Sequence, residues 1–418
     1  MSKRKTPILR FKGFNNAWEQ RKLGDIVTPI KTYSLTRAFE TLKNTNFKYI
    51  HYGDIHTGKA KIIQNPSTLP SIKKNDNYIT LKPNDIIIAD ASEDYKGIAD
   101  AAILKDCGNY KIVAGLHTIA IRPNSCNVSS FIYILLGRDD FKHWGYKVGT
   151  GLKVFGITLK NFLKYKTFYP SLNEQKAISN LLNLVDNLLD LQKRKYEELK
   201  LLKKALMQNM FADNAFYPNL RFKGFVYKWK QYKLNDLGYT FSGLSGKSKK
   251  DFGHGKAQYV TYMNVFSNPI ANLEMTEHIE IDNKQNSVKY NDIFFTTSSE
   301  TPEEVGMSSI WLGKETNTYL NSFCFGFRLT KRIDSYYIAF MLRSPSFRRK
   351  MMVLAQGISR FNISKNKVMN IKILLPKISE QKRVGITIKK VDNTVKLQVK
   401  FINKIKKFRK FLLQNMFI

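Results

Sequence analysis

The sequence has few cysteines and no long apolar segment. Cys107, Cys126 and Cys324 are the only cysteines among 418 residues, and none forms a Cys-x-x-Cys pair. This argues against a disulfide framework and a zinc site, so we expect three buried thiols. No apolar run approaches the ~18 residues that cross a bilayer, and no signal-peptide stretch follows the first residues. We therefore expect a soluble, cytoplasmic protein that is not in a membrane.

Acidic residues are also scarce, which leaves a large positive charge. Lysine and arginine total 69 against 33 aspartate and glutamate, a formal net charge of +36. Nucleic acid is the most abundant polyanion that such a chain could bind, and a membrane surface is the alternative. With 43% hydrophobic and 13% aromatic residues the chain can form folded cores. Its length predicts two or three domains.

One sequence pattern occurs twice in the chain. Leu-Arg-Phe-Lys-Gly-Phe fills residues 9–14 and again residues 220–225, at an offset of 211. Gln-Asn-Met-Phe fills residues 208–211 and again 414–417, at an offset of 206. Because the offset changes by only five residues over half the chain, we predict a duplicated domain rather than a short-period solenoid.

Each copy begins with a region of mixed secondary structure. Short β-branched and aromatic runs alternate with Gly, Asn, Asp and Pro turns, and helical stretches lie at 129–137 and 335–342. The predicted strands include 47–50, 85–88, 117–121, 259–262, 292–295 and 323–327. This mixture predicts an α+β fold.

Each copy ends in a long helical pattern. Residues 173–211 contain no Gly or Pro, and apolar residues recur there at spacings of three and four. Such a helix is about 55 to 60 Å long, too long for a typical core helix. The first helix leads to the second mixed region, where the second helix starts, so we expect two antiparallel helices. They would form a coiled-coil spacer between two pseudo-symmetric globular domains.

The repeat also predicts the domain limits. We expect globular domains at 1–170 and 218–375, the first helix with its linker at 171–217 and the second helix at 376–418. Gln192 and Gln398 occupy the same repeat position in the two helices. A polar pair in an apolar seam sets the register of paired helices, and the alternative is two exposed glutamines.

Two groups of residues carry a resemblance to a known family. The first is Leu-Arg-Phe-x-Gly-Phe followed by Trp-x-Gln-x-Lys-Leu, at 9–23 and 220–234. The second is Pro-Ser-Leu-Asn-Glu-Gln-Lys at 170–176, before the first long helix, with its copy at 376–382. In this order, twice, and over essentially the whole chain, they resemble the specificity subunits of type I restriction-modification systems.

The resemblance implies a subunit that has no active site and recognises DNA. Each globular domain would read one half of a bipartite, asymmetric double-stranded target, and the paired helices would set the gap. Two methyltransferase subunits would use S-adenosylmethionine to methylate adenine at N6, and motor-nuclease subunits would use ATP and Mg²⁺. No cofactor or metal is expected in this chain. The helix starts would dock the methyltransferase subunits through Glu174, Gln175, Glu380 and Gln381.

The first candidates for DNA contact lie in a loop that recurs before the last strand of each copy. Glycine allows the backbone to approach DNA closely, and a single basic side chain follows two or three residues later. These loops supply Thr150, Gly151 and Lys153 in the first copy and Gln356, Gly357, Ser359 and Arg360 in the second. The alternative is a glycine turn beside a solvated cation.

Further candidates lie near predicted strand ends, where polar side chains could reach base edges or phosphates. They are Tyr52, His56, Lys59 and Ser92 in the first copy, and Tyr262, Asn264, Ser299, Lys247 and Lys249 in the second. The alternative for this set is ordinary solvated loop.

Enzyme motifs are incomplete in this sequence. Gly246-Lys247-Ser248 resembles the end of a phosphate-binding loop, but Phe241 stands where the first glycine is required. An amino-methyltransferase needs an Asn/Asp-Pro-Pro-aromatic motif, which the sequence does not contain. One alternative function is a coiled-coil adaptor that binds RNA or another anionic surface, although this does not explain two α+β domains. Another keeps the fold but assigns it to a different modification system.

Overall fold

The computed structural model describes residues 6–75, 77–93, 97–151, 155–213 and 215–418. The chain divides into two compact units: unit 1 comprises Met1–Leu191 with Ile402–Ile418, and unit 2 comprises Gln192–Phe401. The predicted domain limits separate the long helices from the globular parts, whereas each compact unit includes a portion of both helices. None of the described helices is long and apolar enough to span a membrane.

Unit 1 contains eleven described strands and four short helices before the first long helix. The strands are β1 Glu19–Lys22, β2 Val27–Ile30, β3 Phe47–Ile50, β4 Ile62–Ile63, β5 Ile86–Ala89, β6 Ala91–Ser92, β7 Ala101–Leu104, β8 Lys111–Ala114, β9 Thr118–Pro123, β10 Phe155–Gly156 and β11 Lys166–Tyr169. The helices are α1 Tyr52–His56, α2 Ser129–Leu136, α3 Asp139–Val148, α4 Leu159–Phe162 and the long α5 Leu172–Asn209.

Unit 2 repeats this order of elements. Its strands are β12 Lys230–Lys233, β13 Gly238–Ser242, β14 Phe252–Val260, β15 Thr276–Ile279, β16 Ile293–Thr296, β17 Ser298–Ser299, β18 Ser308–Ile310, β19 Thr318–Leu320, β20 Cys324–Leu329, β21 Phe361–Asn362 and β22 Lys372–Leu375. Its helices are α6 Tyr262–Ser267, α7 Ser335–Met341, α8 Pro345–Val353, α9 Lys365–Met369 and the long α10 Ile378–Asn415.

The sheets of the two units share most of their topology but differ at one edge, because β4 pairs with β7 in unit 1 whereas β15 pairs with β14 in unit 2. The main sheet has the order β2-β9-β5-β7-β4 in unit 1 and β13-β20-β16-β18 in unit 2. A parallel pair accompanies each sheet, β3 with β8 and β14 with β19. The first and last strands of each globular part pair antiparallel, β1 with β11 and β12 with β22. The α+β duplication predicted from the sequence is confirmed.

The central strand of each main sheet is buried and begins beside an ion pair. All four residues of β5 are buried, as a continuous apolar run predicts for a central strand. Immediately before it, the buried Asp85 accepts two hydrogen bonds from Arg122, at 2.8 and 2.7 Å. Asp292 and Arg328 make the same two contacts in unit 2, at the same distances.

The long helices pair antiparallel, as predicted. In unit 2, Lys203 Nζ lies 2.5 Å from Asp392 Oδ1, and the Gln398 amide donates to Gln192 Oε1 at 2.7 Å. The contact positions increase from 192 to 203 along α5 but decrease from 398 to 392 along α10, so the two helices are antiparallel. Gln398 is buried, so the two glutamines form a polar pair in the seam rather than two exposed side chains.

In unit 1 the end of α10 completes the core. Phe417 stacks on Phe131 at 5.3 Å between ring centroids and meets Trp18 edge-on at 6.3 Å. The Leu9 amide donates to the Asn415 carbonyl at 2.8 Å. Unit 1 is therefore assembled from residues about 400 positions apart in the chain.

The end of α5 plays the corresponding part in unit 2. Phe211 packs edge-on against Tyr337 at 5.4 Å, and the Leu220 amide donates to Asn209 at 2.8 Å. Each helix end is thus part of a hydrophobic core rather than a free terminus of a spacer.

The three thiols lie in different environments. Cys324 is buried, Cys107 is half-buried and Cys126 is exposed. The prediction of three buried thiols is wrong for Cys126, which lies in the turn after β9, where the chain runs over the surface.

Candidate nucleic-acid interface

A short hairpin projects from the same place in both units. In unit 1, β10 pairs with β6, and Thr150 and Gly156 exchange backbone hydrogen bonds of 3.0 and 2.9 Å. In unit 2, β21 pairs with β17, and Gln356 and Asn362 exchange bonds of 3.0 and 2.8 Å. The loops predicted to contact DNA therefore lie between the paired residues of two equivalent hairpins, and residues 152–154 of the unit 1 loop are outside the described residues.

A glycine fixes the shape of each tip. Gly151 has φ 134° and Gly357 has φ 137°, a region that side-chain-bearing residues rarely adopt. A Cβ on Gly357 would lie 2.0 Å from the Arg360 carbonyl oxygen, so the unit 2 hairpin closes only on glycine.

The hairpin residues point mainly to solvent. Thr150, Gly151, Gln356, Gly357, Ser359 and Arg360 are all exposed, whereas Lys153 lies outside the described residues. Arg360 donates to Ser298 Oγ at 3.4 Å, and its guanidinium lies 5.9 Å from the ring of Phe323. These contacts hold a cationic fork near the tip, available to a guanine edge or a phosphate.

Three predicted residues of unit 1 meet around one cavity of about 490 Å³. Tyr52, His56 and Ser92 line it, together with the carboxylates of Glu93 and Asp100. Gly97 lies in its wall, where a Cβ would lie 2.4 Å from Ser92 Oγ and would displace that hydroxyl. The sequence analysis identified part of this wall but not Asp100.

A hydrogen-bonded cluster holds one side of the cavity. His56 Nδ1 lies 3.3 Å from Asp100, and Lys142 Nζ lies 2.5 Å from the other oxygen of Asp100. The hydrogen bond to Asp100 raises the pKa of His56. Burial opposes ionisation of Asp100, but the bonds from His56 and Lys142 lower its pKa overall. Burial lowers the pKa of Lys142.

A second histidine stands near the same face. His117 Nδ1 lies 3.3 Å from Asp90 Oδ1, and the Tyr52 ring meets the His117 ring edge-on at 5.4 Å. Burial raises the pKa of Asp90. Sequence reasoning placed His117 at the start of the strand predicted at 117–121 and missed it as a candidate; in the structure it lies just before β9.

Two predicted contacts in unit 2 are corrected. Asn264 is fully buried, where its amide donates to the carbonyls of Asn272 and Met275 at 2.7 and 2.9 Å. Its side chain closes the loop after α6 and cannot reach a base edge. Ser299 is also buried and donates to the Thr301 carbonyl.

Ser92, the unit 1 equivalent of Ser299, needs the same correction as a base contact. It is buried within β6 and pairs across to Phe155 of the hairpin. It therefore remains only as part of the cavity wall.

The remaining predicted residues divide by their contacts. Lys59 and Lys249 are exposed, and Lys247 forms an ion pair with Asp282 at 2.7 Å. The Tyr262 hydroxyl donates to the Ser298 carbonyl at 2.7 Å, which places Tyr262 beneath the unit 2 hairpin. Among the residues that the structure describes, no group of three His, Cys, Asp or Glu side chains could hold a metal ion.

The comparisons with known proteins agree with this geometry. A family model described as the type I restriction modification DNA specificity domain matches residues 15–201 and 227–407. The chain belongs to this family. It is therefore a specificity subunit, the recognition subunit of such systems rather than an enzyme.

Similar proteins support the same assignment over nearly the whole chain. The type I restriction enzyme MjaVIII specificity subunit of Methanocaldococcus jannaschii is 23% identical over 94% of this chain and 90% of its own length. The S subunit from M. genitalium superposes with a TM-score of 0.58 at 15% identity, covering 99% of both chains.

Another solved chain comes from work on complex assembly and conformational transition of the type I R-M system. It superposes with a TM-score of 0.54 at 14% identity and covers 96% of this chain and 97% of its own. At such identities the two structural matches establish the fold.

The residues predicted to dock partner subunits have an internal role in this specificity subunit. Glu174, Gln175, Glu380 and Gln381 are each at most 4% exposed. Arg10 donates twice to Glu174, at 2.6 and 2.8 Å, and Arg221 donates twice to Glu380, at 2.8 and 2.9 Å.

The two glutamines bind backbone in the same way in both units. Gln175 accepts from the Val128 amide at 2.9 Å and donates to Pro170, and Gln381 does the same with Asp334 and Pro376. The docking prediction for all four residues is therefore corrected, because buried, fully engaged side chains fix each helix to its globular part and offer nothing to a partner.

Proposed function

We propose that this specificity subunit reads a bipartite, asymmetric double-stranded DNA target, with one half-site for each unit. The observation that carries the proposal is the recurrence of the glycine-tipped hairpin on two copies of one scaffold, with different side chains on each. Unit 2 presents Arg360 beside Phe323, whereas unit 1 presents a cavity with His56 and Asp100. Different side chains on equal scaffolds favour different half-sites.

The charge of the chain supports phosphate binding as the main source of affinity. The chain has a formal net charge of +36. Lysine and arginine side chains that neutralise phosphates release counterions from DNA, so we expect binding to weaken steeply as the salt concentration rises. The exposed lysines Lys59 and Lys249 are candidates for this sequence-independent part.

The catalytic steps belong to partner subunits in this proposal. Two methyltransferase subunits would use S-adenosylmethionine to methylate adenine at N6, and motor-nuclease subunits would use ATP and Mg²⁺ to cleave DNA. The long helices α5 and α10 would set the gap between half-sites. The complex would act in the cytoplasm, where chromosomal and incoming DNA are found.

The decisive experiment maps methylated adenines in cells that express this chain with its methyltransferase partners. Residues 1–170 are then replaced by the corresponding segment of another specificity subunit, which leaves both long helices unchanged. We expect one half of the methylated target to change while the other half and the gap stay the same. A change in both halves would contradict independent reading by the two units.

Binding to nucleic acids provides a second test. The complex is titrated with double-stranded DNA, single-stranded DNA and RNA of equal length in gel shifts at two salt concentrations. We expect selective retention of the duplex that carries the mapped target. Preference for RNA would instead support an adaptor that binds anionic surfaces.

A further inference from the structure

His117 in unit 1 and Phe323 in unit 2 occupy one position of the repeated scaffold. The His117 carbonyl accepts from the Asp90 amide at 3.1 Å, and the Phe323 carbonyl accepts from the Thr297 amide at 2.9 Å. Both residues immediately precede the strand that pairs with the central strand of the main sheet, β9 in unit 1 and β20 in unit 2. Equal backbone contacts place the two residues at the same position of the scaffold, although only His117 has a positive φ.

This position lies directly beneath the hairpin in each unit. The Asp90 carbonyl accepts from Ile157, which follows β10, at 2.8 Å. The Thr297 carbonyl accepts from Ile363, which follows β21, at 3.0 Å. A side chain at this position therefore shares a surface with the hairpin that we propose contacts DNA.

The His117 side chain is exposed and oriented. Its relative exposure is 48%, and Asp90 and Tyr52 contact its ring from two sides. Its backbone has φ 54°, in the left-handed region that only a few per cent of non-glycine residues adopt. Such conformations persist where the surrounding structure enforces them, often at functional sites.

Phe323 presents different chemistry at the same place. It is 54% exposed, and its ring lies beside the Arg360 guanidinium. Thr297, which replaces Asp90, directs its hydroxyl to the Phe323 carbonyl at 2.9 Å, so no carboxylate stands there. Exposure of an apolar ring to water is unfavourable, so contact with a partner that covers the ring would lower the free energy.

We propose that His117 and Phe323 are specificity-determining residues, each discriminating a base in the half-site of its own unit. This rests on the proposed function. His117, oriented by Asp90, donates a hydrogen bond to an acceptor on a base edge in the major groove, of the kind that guanine offers at O6 and N7. Phe323 packs against the 5-methyl group of thymine while Arg360 contacts the neighbouring edge or phosphate.

The test exchanges the two side chains between the units. H117F and F323H are each assembled with the methyltransferase partners, and methylation is measured on duplexes that carry the mapped target and every single-base change in it. We expect H117F to reduce discrimination at one position of the unit 1 half-site by roughly 5- to 150-fold. F323H should do the same at one position of the unit 2 half-site, and neither should affect the other half.

Matched controls separate specificity from folding. H143F removes another exposed histidine of unit 1, on α3, and F216H changes another exposed phenylalanine of unit 2. Both should leave discrimination unchanged. H117Q keeps a hydrogen-bond donor and should retain part of the discrimination that H117F loses, and thermal unfolding of each complex checks that it folds.

The outcomes also separate this inference from the proposed function. If the unmodified complex methylates without sequence preference, the proposed function is wrong. If it is selective but both exchanges leave every position unchanged in folded complexes, the function stands and His117 and Phe323 are not specificity determinants. A uniform loss across all positions would mean general binding rather than base discrimination, and would equally overturn the inference.

Discussion

Unit 1 and unit 2 share a scaffold but differ in the chemistry of equivalent side chains. Where unit 1 has histidines and carboxylates, unit 2 has aromatic, apolar or neutral residues. The pairs are His56 and Phe266, Asp90 and Thr297, Asp100 and Met307, and His117 and Phe323. These four differences lie at the cavity and beneath the hairpins, on backbone positions that the two units share.

The interiors show the opposite behaviour. Arg10 with Glu174 in unit 1 corresponds to Arg221 with Glu380 in unit 2, with both hydrogen bonds kept. A buried ion pair is costly when one partner is missing, so both members must be retained or replaced together. The two copies of the sequence are therefore most alike at residues that make these buried polar contacts.

The largest expected effect is the loss of stability when a core phenylalanine is truncated, and it tests whether the two units are separate. Phe417→Ala should destabilise unit 1 by about 3 to 5 kcal/mol, because it leaves a cavity between Phe131 and Trp18. Phe211→Ala should do the same in unit 2, where Phe211 packs on Tyr337. Hydrogen exchange followed by mass spectrometry should locate each loss in one unit. Equal loss of protection in both units after either change would contradict the assignment of each phenylalanine to one unit.

A smaller effect should distinguish the two helix anchors. Glu174→Ala should cost about 2 kcal/mol, because it removes the carboxylate that accepts two charge-assisted hydrogen bonds from the partly exposed Arg10. Glu380→Ala should cost about 1 kcal/mol more, because Glu380 also accepts from Trp229 Nε1 at 3.4 Å. In unit 1 the equivalent Trp18 Nε1 is buried and has no hydrogen-bond partner among the described residues.

Denaturant unfolding of the assembled complex measures this difference. Lys176→Ala, at an exposed position of the same helix turn, is the control and should have little effect. Equal costs for the two glutamates would mean that the tryptophan contact adds nothing.

The smallest expected effect concerns pH. The hydrogen bond to Asp100 raises the folded-state pKa of His56, so its contribution to stability is present below the unfolded pKa of about 6.5 and is lost as pH rises through the folded value. Asp100 has a lowered pKa, so its own contribution is lost only in acid, as pH falls through that lowered value.

Hydrogen exchange of unit 1 between pH 5.5 and 8.5, compared between the unmodified chain and histidine variants, tests the contribution of His56. His56→Phe copies the residue of unit 2, Phe266, and should flatten the pH dependence of unit 1, while His143→Phe should not. An unchanged profile in His56→Phe would show that another group controls it.

Much of the fold could be predicted from local patterns. Most of the strand runs, the helices at 129–137 and 335–342 and the long helices appear within a few residues of their predicted places. The strand predicted at 259–262 is an exception, because β14 begins at Phe252 and α6 begins at Tyr262. The two hairpin loops were also found, because a glycine and its following polar residues are a local signal. The repeat places Gln192 and Gln398 at the same position and left two alternatives, a polar pair or two exposed side chains; in the structure they form a pair.

The errors concern burial, which depends on distant residues. Glu174 looks like an exposed residue at a helix start until Arg10, 164 positions earlier, is brought against it. Asn264 is of a residue type common in surface turns, but its amide donates to the backbone carbonyls of Asn272 and Met275. His117 was not predicted as a site residue, because neither its exposure nor its contact with Asp90 can be inferred from the sequence.

The duplication, most element types and the glycine positions of the hairpins follow from the sequence, because periodicity and turn chemistry act over a few residues. Which polar side chains are buried inside the units and which lie at the surface depends on the tertiary structure. The reason is that hydrogen-bond partners and covering side chains come from remote segments, as when the end of α10 completes the core of unit 1.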